Sequence, residues 1–433
     1  MTTHLLPLAP ESLAGLQVRV RREEHGLAAE IFPRLQSSNS QPPRHFPNLV
    51  EGPETWSGFD SDDSDKSKVP TIVLNDFGIA EVKKGLQDFY ALELDGDEVN
   101  QERFPLPSLQ SQLDQYALEV HRGGGICIIR GLNPKWFSIE DNIIILLGLA
   151  GYIGDQRGVQ NSKGDMLSHV TESKSWTVPQ DRRHGIHTNS SLPFHTDMGC
   201  EILAMQVRDR AEAGGYTCVA PMAVIYNDLM QSNPWVLHAL ARDNWPIQTS
   251  SRNDTPFVLC PLLEYQADRL VISMDPARIG PHPRARNGSI PQLTLEQQEA
   301  LAELQRVARK HQVRLETQPG DIVFINNLAL LHARESYQDS DSSSRHLVRL
   351  WLRNTRLGWL IPSSMKMPWD AAFGEKAKKI INRNYPIMPM PEYMECKYSN
   401  GTAAFVPDGD SEDDIMDGVS PEDDTQLRSS SGS

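Results

Sequence analysis

The chain has 433 residues, of which 39% are hydrophobic and 23% are charged, a balance typical of a globular core with some polar segments. Its formal net charge of −15 argues against a nucleic-acid-binding surface, which needs clustered Lys and Arg. No apolar run approaches the roughly 18 residues that span a bilayer, so no membrane contact is expected.

The start of the chain has acids and prolines instead of a basic stretch followed by an apolar one, so a signal peptide is not expected. The five cysteines are scattered, without a Cys-x-x-Cys pair. That argues against a zinc ribbon or a disulfide scaffold and favours small buried thiols in a reducing compartment. We therefore expect a cytoplasmic protein.

Both ends of the chain have compositions typical of loose segments. Residues 36–67 are rich in Ser, Pro and acids and lack apolar periodicity, and residues 408–424 carry nine acids and no base. The sequence therefore predicts a partly disordered N-terminal extension over 1–67, one domain over 68–395 and an acidic, disordered tail over 396–433.

Between these ends, helix and strand signals alternate. Apolar spacing predicts helices over 79–92, 108–125 and 139–154, with a short buried strand over 126–132 that follows three glycines. Residues 201–234 predict a strand, a Gly-Gly turn, a second strand and a helix.

The second half begins with the clearest helix, over 293–312, where Thr294 and Gln297 form a capping-box pattern. Two strand-like runs joined by a Pro-Gly-Asp turn follow it, and residues 345–355 alternate like a strand with one buried face. Many short strands with a few packing helices favour a double-sheet β architecture over a doubly wound sheet.

The stretch "LPFHTDMG" places His195 and Asp197 two positions apart. Chance alone predicts between one and two His-x-acid pairs in this composition, and this one is present. Fe(II) oxygenases use two imidazoles and one carboxylate on one side of the metal. Alternate residues of an extended segment point the same way, so this pair could supply two ligands, and the third must come from an adjacent strand.

Five histidines follow the pair. His238 and His311 lie on predicted helices with packing or capping roles, and the other three are His282 in a Pro-rich loop, His346 without independent support, and His332. His332 stands out because it ends the strand entered through "PGDIVFINN". From the residues alone, a metal ligand and a structural histidine are equally good interpretations of it.

The chain resembles the TauD/TfdA-like family of Fe(II)- and 2-oxoglutarate-dependent dioxygenases, in particular its fungal members. The resemblance rests on "GGGICIIRGL", "LPFHTDMG", "AGGYTCVAP", "GDIVFINNLALLHARESY" and "RHLVRLWLRNT", in this order, and covers roughly residues 70–395. It implies an α+β fold with a double-stranded β-helix core (jelly-roll, cupin-like) flanked by helices. It also makes His195, Asp197 and His332 the iron ligands.

The resemblance further implies that an arginine after the distal histidine binds the far carboxylate of 2-oxoglutarate. Arg345 matches best, thirteen residues past His332, because a planar guanidinium can bind a carboxylate in a bidentate way. Arg349, on the same strand face, is expected to assist or to bind an acidic group of the substrate. Arg334 is expected to form a structural ion pair. Thr217, in "GGYT", resembles the family's second donor to the cosubstrate carboxylate.

On the substrate side, His169 and Asn189 are the candidates, because they lie upstream of the metal pair where relatives carry substrate contacts. The polar segment 154–165 is expected to form a mobile loop near the entrance.

The implied reaction oxidises a small organic substrate, with hydroxylation the main outcome, while O2 and 2-oxoglutarate yield succinate and CO2. Relatives act on sulfonates, carboxylates, amino-acid derivatives and secondary metabolites, and an acidic substrate would suit Arg349. Two alternatives stay open at this stage: a Jumonji-type oxygenase that modifies proteins, and a non-catalytic relative that serves as a scaffold. Iron binding with 2-oxoglutarate-dependent succinate release separates the enzyme from the scaffold.

Overall fold

A computed structural model describes residues 41–56, 69–161, 164–177, 179–180, 183–248, 257–281, 290–380 and 385–389. Residues 1–40 of the predicted extension and the predicted tail over 396–433 lie outside this part, as does His282. No helix among the described residues is long and apolar enough to cross a membrane.

Eight α-helices are present in the described ranges. They are α1 (Asp76–Tyr90), α2 (Gln110–Arg122), α3 (Ile139–Ile153), α4 (Met222–Ser232), α5 (Pro234–Leu240), α6 (Leu295–His311), α7 (Lys366–Phe373) and α8 (Glu375–Ile380).

The strands are short and spread along the whole domain. They are β1 (Thr71–Val73), β2 (Ile126–Arg130), β3 (Gln156–Arg157), β4 (Leu167–Thr171), β5 (Leu192–His195), β6 (Ile202–Asp209), β7 (Ala213–Gly214), β8 (Thr217–Pro221), β9 (Trp245–Gln248), β10 (Phe257–Cys260), β11 (Leu263–Gln266), β12 (Arg269–Ile272), β13 (Val313–Arg314), β14 (Ile322–Asn326), β15 (Leu330–Arg334), β16 (Tyr337–Gln338) and β17 (His346–Arg353).

Two sheets dominate the fold. The large sheet has the strand order β1-β2-β14-β6-β17-β3, with β4 also paired to β17, and the small sheet has the order β13-β8-β15-β5. β1 and β2 run parallel, whereas the other neighbouring strands of the two sheets run antiparallel.

Three layers of apolar side chains hold the sheets and helices together. One apolar cluster contains side chains of both sheets, such as Leu203 and Trp351 from the large sheet and Val219 from the small one. A second cluster joins the other face of the large sheet to α1, α2 and α3, and a third joins the other face of the small sheet to α4, α5 and α6. The chain is thus a mixed α/β domain in which two sheets share an interior and helices cover both outer faces.

The helices predicted from apolar spacing are confirmed at α1, α2, α3 and α6. In α6 the Thr294 hydroxyl accepts from the Gln297 amide, and the Gln297 side chain accepts from the Thr294 amide, as the capping-box pattern predicts. The predicted strands over 126–132 and 345–355 are confirmed as β2 and β17. Cys127, Cys200, Cys218 and Cys260 are buried free thiols, as expected.

The prediction of a loose segment over 36–67 is wrong for residues 41–56, which pack onto the domain. The Val50 amide donates to Asn227 Oδ1 (2.9 Å), the Asn227 side chain donates back to the Val50 carbonyl (2.8 Å), and the Trp56 indole donates to a backbone carbonyl just after α2. Composition missed these anchors because single apolar and aromatic residues in a Pro-rich stretch have no periodicity.

The strand assignment of His332 is also corrected. The strand entered through "PGDIVFINN" is β14, which ends at Asn326, whereas His332 lies in the middle of β15. The two strands belong to different sheets. Both strands are fully buried, and in the sequence only Asn326 and Asn327 mark the turn between them.

Candidate metal centre

His195 and His332 lie side by side on neighbouring strands of the small sheet. The two residues are register partners between β5 and β15, and their ring centroids are 4.1 Å apart. The pairing is irregular just beyond them, a bulge of the kind that redirects side chains near functional sites. Each Nε2 atom lies 3.9 Å from Oδ1 of Asp197, and the three ligand atoms lie within 4.8 Å of one another.

Asp197 lies beyond the end of β5, and Asn327 holds it in place. The Asp197 amide donates to Asn327 Oδ1 (2.8 Å), while Asn327 Nδ2 donates to the carbonyls of Asp197 (2.8 Å) and Cys200 (2.7 Å). Side-chain hydrogen bonds from the β14–β15 turn thus replace the strand pairing that alternation predicted for Asp197.

The second oxygen of Asp197 is fully engaged. Oδ2 accepts from the Trp351 indole (2.8 Å) and lies 3.0 Å from Nη1 of Arg349. Burial alone would raise the pKa of Asp197, but the charge of Arg349, the two imidazoles and the Trp351 hydrogen bond lower it to about 2. Asp197 therefore stays a carboxylate at neutral pH, with Oδ1 directed to the two histidines.

Both imidazoles suit metal binding through Nε2. Nδ1 of His195 lies 2.8 Å from the Pro193 carbonyl, which fixes the proton on Nδ1 and leaves a lone pair on Nε2. Burial, followed by the neighbouring His195, lowers the pKa of His332 to about 3, so this ring is neutral. Two imidazoles that present Nε2 and one carboxylate form the donor set that Fe(II) takes in oxygenases, so the residues present fit the ion.

A cluster of hydrogen-bond donors without partners lies beside the centre. Arg345 donates through Nε to the Gly215 carbonyl (2.8 Å), but its buried Nη1 has no hydrogen-bond partner in the described part of the chain. The same holds for Nε and Nη1 of Arg334 and for the Tyr337 hydroxyl, and both guanidiniums lie over the Tyr337 ring. Buried donors that lack partners indicate a site for an anionic ligand.

Arg334 does not form the ion pair expected from the sequence. Within the described residues, its Nη2 donates to the carbonyls of Gly185 (3.1 Å), Thr188 (2.9 Å) and Ser190. These hydrogen bonds connect β15 to the segment before β5, which covers the guanidinium. Thr217, the predicted second donor, is buried at the start of β8 as the register partner of Arg334.

Arg349 lies on the metal-facing side of β17, as its ion pair with Asp197 demonstrates. Its Nε donates to Oε1 of Gln160 (2.9 Å), and Gln160 donates in turn to the backbone carbonyls of Met166 and Arg349. Gln160 belongs to the predicted mobile loop over 154–165, yet it is buried and anchors Arg349.

His169, a predicted substrate contact, lies on the wrong face of the large sheet for that role. It pairs in register with Val348 of β17, whose side chain packs in the helix-covered layer, whereas the adjacent pair, Arg349 and Ser168, faces the metal. Both ring nitrogens of His169 are engaged, at 2.8 Å from Nε2 of His346 and 2.7 Å from the Pro386 carbonyl. An offset of one residue reverses the face of a strand, and the sequence did not fix that register.

Asn189, the other substrate candidate, lies in the segment that leads to β5. Its side-chain oxygen accepts from Gln180 and its carbonyl accepts from the Tyr337 amide (3.0 Å). It borders the donor cluster through its backbone, and its role toward a substrate stays a prediction.

Sequence reasoning missed three residues that hold the centre, namely Asn327, Trp351 and Gln160. Each acts on Asp197 or Arg349 through a hydrogen bond between segments distant in the chain. Trp351 had one available signal: it lies two positions after Arg349 in a predicted strand, so it shares the face of that arginine.

The taurine catabolism dioxygenase TauD, TfdA family matches residues 85–351 of the chain. A taurine hydroxylase-like protein, SAT17, of the fungus Stachybotrys chartarum is 33% identical over 316 residues, which cover 70% of this chain and 80% of that protein. FR-33289 synthase of Streptomyces rubellomurinus is 23% identical over 326 residues, 73% of this chain and 93% of that protein.

Among solved structures, asparagine oxygenase in complex with Fe(II), 3-hydroxyasparagine and succinate superposes with a TM-score of 0.51 at 14% identity, covering 67% of this chain and 98% of its own. A mutant of the non-heme iron oxygenase OrfP in complex with hydroxy-arginine gives a TM-score of 0.50 at 18% identity, covering 66% and 94% of the two chains. These likenesses are evidence of a shared fold.

The extent of the family match and the fungal relative settle the family: the chain belongs to the TauD/TfdA family of dioxygenases. It is accordingly an oxidoreductase that depends on Fe(II) and 2-oxoglutarate and acts on a small organic substrate.

Proposed function

We propose that His195, Asp197 and His332 bind the Fe(II) of this dioxygenase, and that Arg345 and Thr217 bind the far carboxylate of 2-oxoglutarate. We further propose that the two sheets form a double-stranded β-helix and that the substrate is acidic. The observation that carries the proposal is the convergence of three ligand atoms beside a cluster of buried donors that lack partners in the described part of the chain.

The bound iron and 2-oxoglutarate supply the oxidising chemistry, in which O2 is consumed and succinate and CO2 are released. The protein contributes position and charge. His195 and His332 each offer the lone pair of Nε2. Asp197 offers Oδ1, while Trp351 and Arg349 contact Oδ2 and so maintain the orientation of the carboxylate. The surrounding apolar cluster between the sheets keeps bulk water out of the site.

Arg345 is favoured over Arg349 for the cosubstrate because of what each guanidinium already holds. Arg349 is committed to Asp197 and Gln160, whereas Arg345 keeps a buried, unused Nη1 beside the similarly unused atoms of Arg334 and Tyr337. Arg349 uses Nη1 for Asp197 and Nε for Gln160, and its side chain, 13% exposed next to Asp197, leaves Nη2 for an acidic group of the substrate.

Separate alanine substitutions test this division. Arg345→Ala is expected to raise the 2-oxoglutarate concentration for half-maximal succinate release by about ten- to a hundredfold, the scale of one charge-assisted hydrogen bond or ion contact. Arg349→Ala also removes the ion pair that orients Asp197, so it is measured at saturating Fe(II). There it is expected to leave that requirement nearly unchanged and to increase the succinate released per substrate molecule oxidised. If only Arg349→Ala raises the requirement, the roles of the two arginines are reversed.

A further inference from the structure

Another buried guanidinium belongs to a segment that contacts the metal-binding loop and is separate from the strands that carry the 2-oxoglutarate donors. Arg278 follows β12 at the end of a single helical turn, Pro276–Arg278. It is 5% exposed, and neither Nε nor Nη2 has a hydrogen-bond partner among the residues that the structure describes. This arrangement is costly, because a buried guanidinium normally saturates its donors.

The segment that carries Arg278 is tied directly to the metal-binding loop. Thr196, between the two ligands His195 and Asp197, donates from its amide to the Met274 carbonyl (2.7 Å), and the Met274 amide donates to the Thr196 hydroxyl (2.8 Å). Arg278 lies only four residues after Met274, so these hydrogen bonds hold its backbone near the centre.

Two carboxylates act on the Arg278 guanidinium, and one of them belongs to Asp197 of the proposed metal site. Burial lowers the pKa of Arg278, and the carboxylates of Asp275 and Asp197 act in the opposite direction. Asp275 uses Oδ1 to accept from the Ala277 amide and forms no ion pair with Arg278 in the described ranges. Burial also raises the pKa of Cys260, the third neighbour, to about 11, so that thiol is neutral.

The Asp197 carboxylate is therefore a counter-charge for both Arg349 and Arg278. It already binds Arg349 through Oδ2, and Oδ1 belongs to the metal site. Two guanidiniums thus act on one carboxylate whose oxygens are both in use. Arg278 lacks a full counter-ion, and Arg334, Arg345 and Tyr337, with their unused donors, occupy a different part of the site, on or beside β15, β16 and β17.

We propose that Arg278 is a substrate-binding residue that, together with Arg349, holds an oxyanionic group of the substrate, a carboxylate, sulfonate or phosphonate, beside the metal. The inference rests on the acidic substrate of the proposed function and assigns a second residue to it. A guanidinium fork with free Nε and Nη2 atoms suits such a group because it can donate two parallel hydrogen bonds.

Calorimetric titration of the full chain with methanesulfonate, methylphosphonate and acetate tests the assignment, in the presence of Fe(II) and 2-oxoglutarate and without oxygen. We expect the wild-type protein to bind at least one of these probes. We expect Arg278→Met to raise its Kd by about ten- to a hundredfold. Arg242→Met, which removes an exposed arginine paired with Glu296, is the matched control and is expected to leave Kd unchanged.

Thermal unfolding separates a binding role from a structural one. Replacing a buried guanidinium whose Nε and Nη2 lack partners among the described residues with methionine is expected to leave Tm unchanged or to raise it. Arg157→Met is the contrast, because the buried Arg157 donates to the carbonyls of Asp97 and Val99, and it is expected to lower Tm. A marked fall in Tm for Arg278→Met would overturn the proposal. Arg278→Lys keeps the charge without the fork and is expected to bind the probe more weakly than wild type, so wild-type affinity in this variant would contradict the role of the fork.

The proposed function and this inference fail in different ways. If the wild-type protein binds neither Fe(II) nor 2-oxoglutarate, the proposed function fails before any probe is added. If it binds both, but no probe binds or Arg278→Met binds the probe like wild type, Arg278 is not a substrate-binding residue. Loss of Fe(II) binding in Arg278→Met would likewise contradict the assignment, because it would place the residue in the metal site.

Discussion

His195 and His332 form one close pair of imidazoles in this protein, and His169 and His346 form another. The ring centroids lie 4.1 Å apart in the first pair and 5.1 Å apart in the second. In the second pair the rings bond to each other, with Nδ1 of His169 2.8 Å from Nε2 of His346. In the first pair no such bond forms within the described residues, and both Nε2 atoms lie near Asp197 instead.

The difference shows what distinguishes a metal site from a structural histidine pair. Lone pairs that converge beside a carboxylate can hold a cation, whereas a lone pair that accepts a hydrogen bond from a neighbouring ring cannot. The two pairs lie in different layers of the fold, one between the two sheets and the other on the opposite face of the large sheet.

The largest contrast between the pairs is expected when a ligand is removed. His195→Ala or Asp197→Ala is expected to abolish iron-dependent succinate release, because two ligands alone do not hold the ion. His332→Gln should do the same. His346→Gln, the same substitution in the other pair, is expected to retain iron binding and turnover. Iron content after gel filtration and succinate release measure both properties, and equal losses in His332→Gln and His346→Gln would contradict the distinction.

A smaller effect is expected from the residue that orients Asp197. Trp351→Phe removes the indole hydrogen bond to Oδ2 and keeps an aromatic ring, so it is expected to lower Fe(II) affinity by about ten- to a hundredfold. Trp359→Phe is the matched control, because its indole donates to the His121 carbonyl away from the ligands. Anaerobic Fe(II) titration of both variants measures the difference, and similar affinities would rule out an orienting role for Trp351.

The smallest expected effect is on the pH dependence of the free energy of unfolding, to which the His169–His346 pair contributes. Burial lowers the pKa of His169 to about 4 and that of His346 to about 3, and the charge of Arg208 acts on both in the same direction. Both values lie below the unfolded value of about 6.5, so the unfolded chain binds more protons and the free energy of unfolding falls as pH drops from about 6.5 toward 4.

His346→Gln removes one of these groups and is expected to reduce that acid sensitivity by up to about 1.4 kcal/mol per pH unit, the limit for one proton. Urea unfolding at about pH 7, 6, 5 and 4 compares the variant with wild type across the window in which the linkage acts. Parallel stability curves for the two proteins would show that His346 has the same pKa in the folded and unfolded states, which would contradict the account.

The sequence predicted most helices and the His195–Asp197 pair of proposed ligands because these depend on local patterns. α6 has an apolar period and a capping box within its own residues, and His195 and Asp197 are close to each other in the chain. The family resemblance added His332, which the residues alone left undecided. The close approach of these three side chains in the structure agrees with that choice.

What the sequence did not predict depends on register and on contacts between distant segments. His169 was a candidate only because it lies upstream of the metal pair, and the register of its strand with β17, which local alternation does not fix, directs it away from Asp197. Asn327 and Gln160 act through hydrogen bonds that join segments far apart in the chain. Arg334 was expected to form an ion pair, yet it binds carbonyls that only the folded segment before β5 presents.

A crystal structure of the anaerobic complex with Fe(II) and 2-oxoglutarate, with the iron located by anomalous scattering, tests the arrangement of ligands and cosubstrate. We expect one iron bonded to Nε2 of His195, Nε2 of His332 and Oδ1 of Asp197, with the far carboxylate of 2-oxoglutarate on Arg345. An iron bound elsewhere, or a far carboxylate bound to Arg349, would contradict the account.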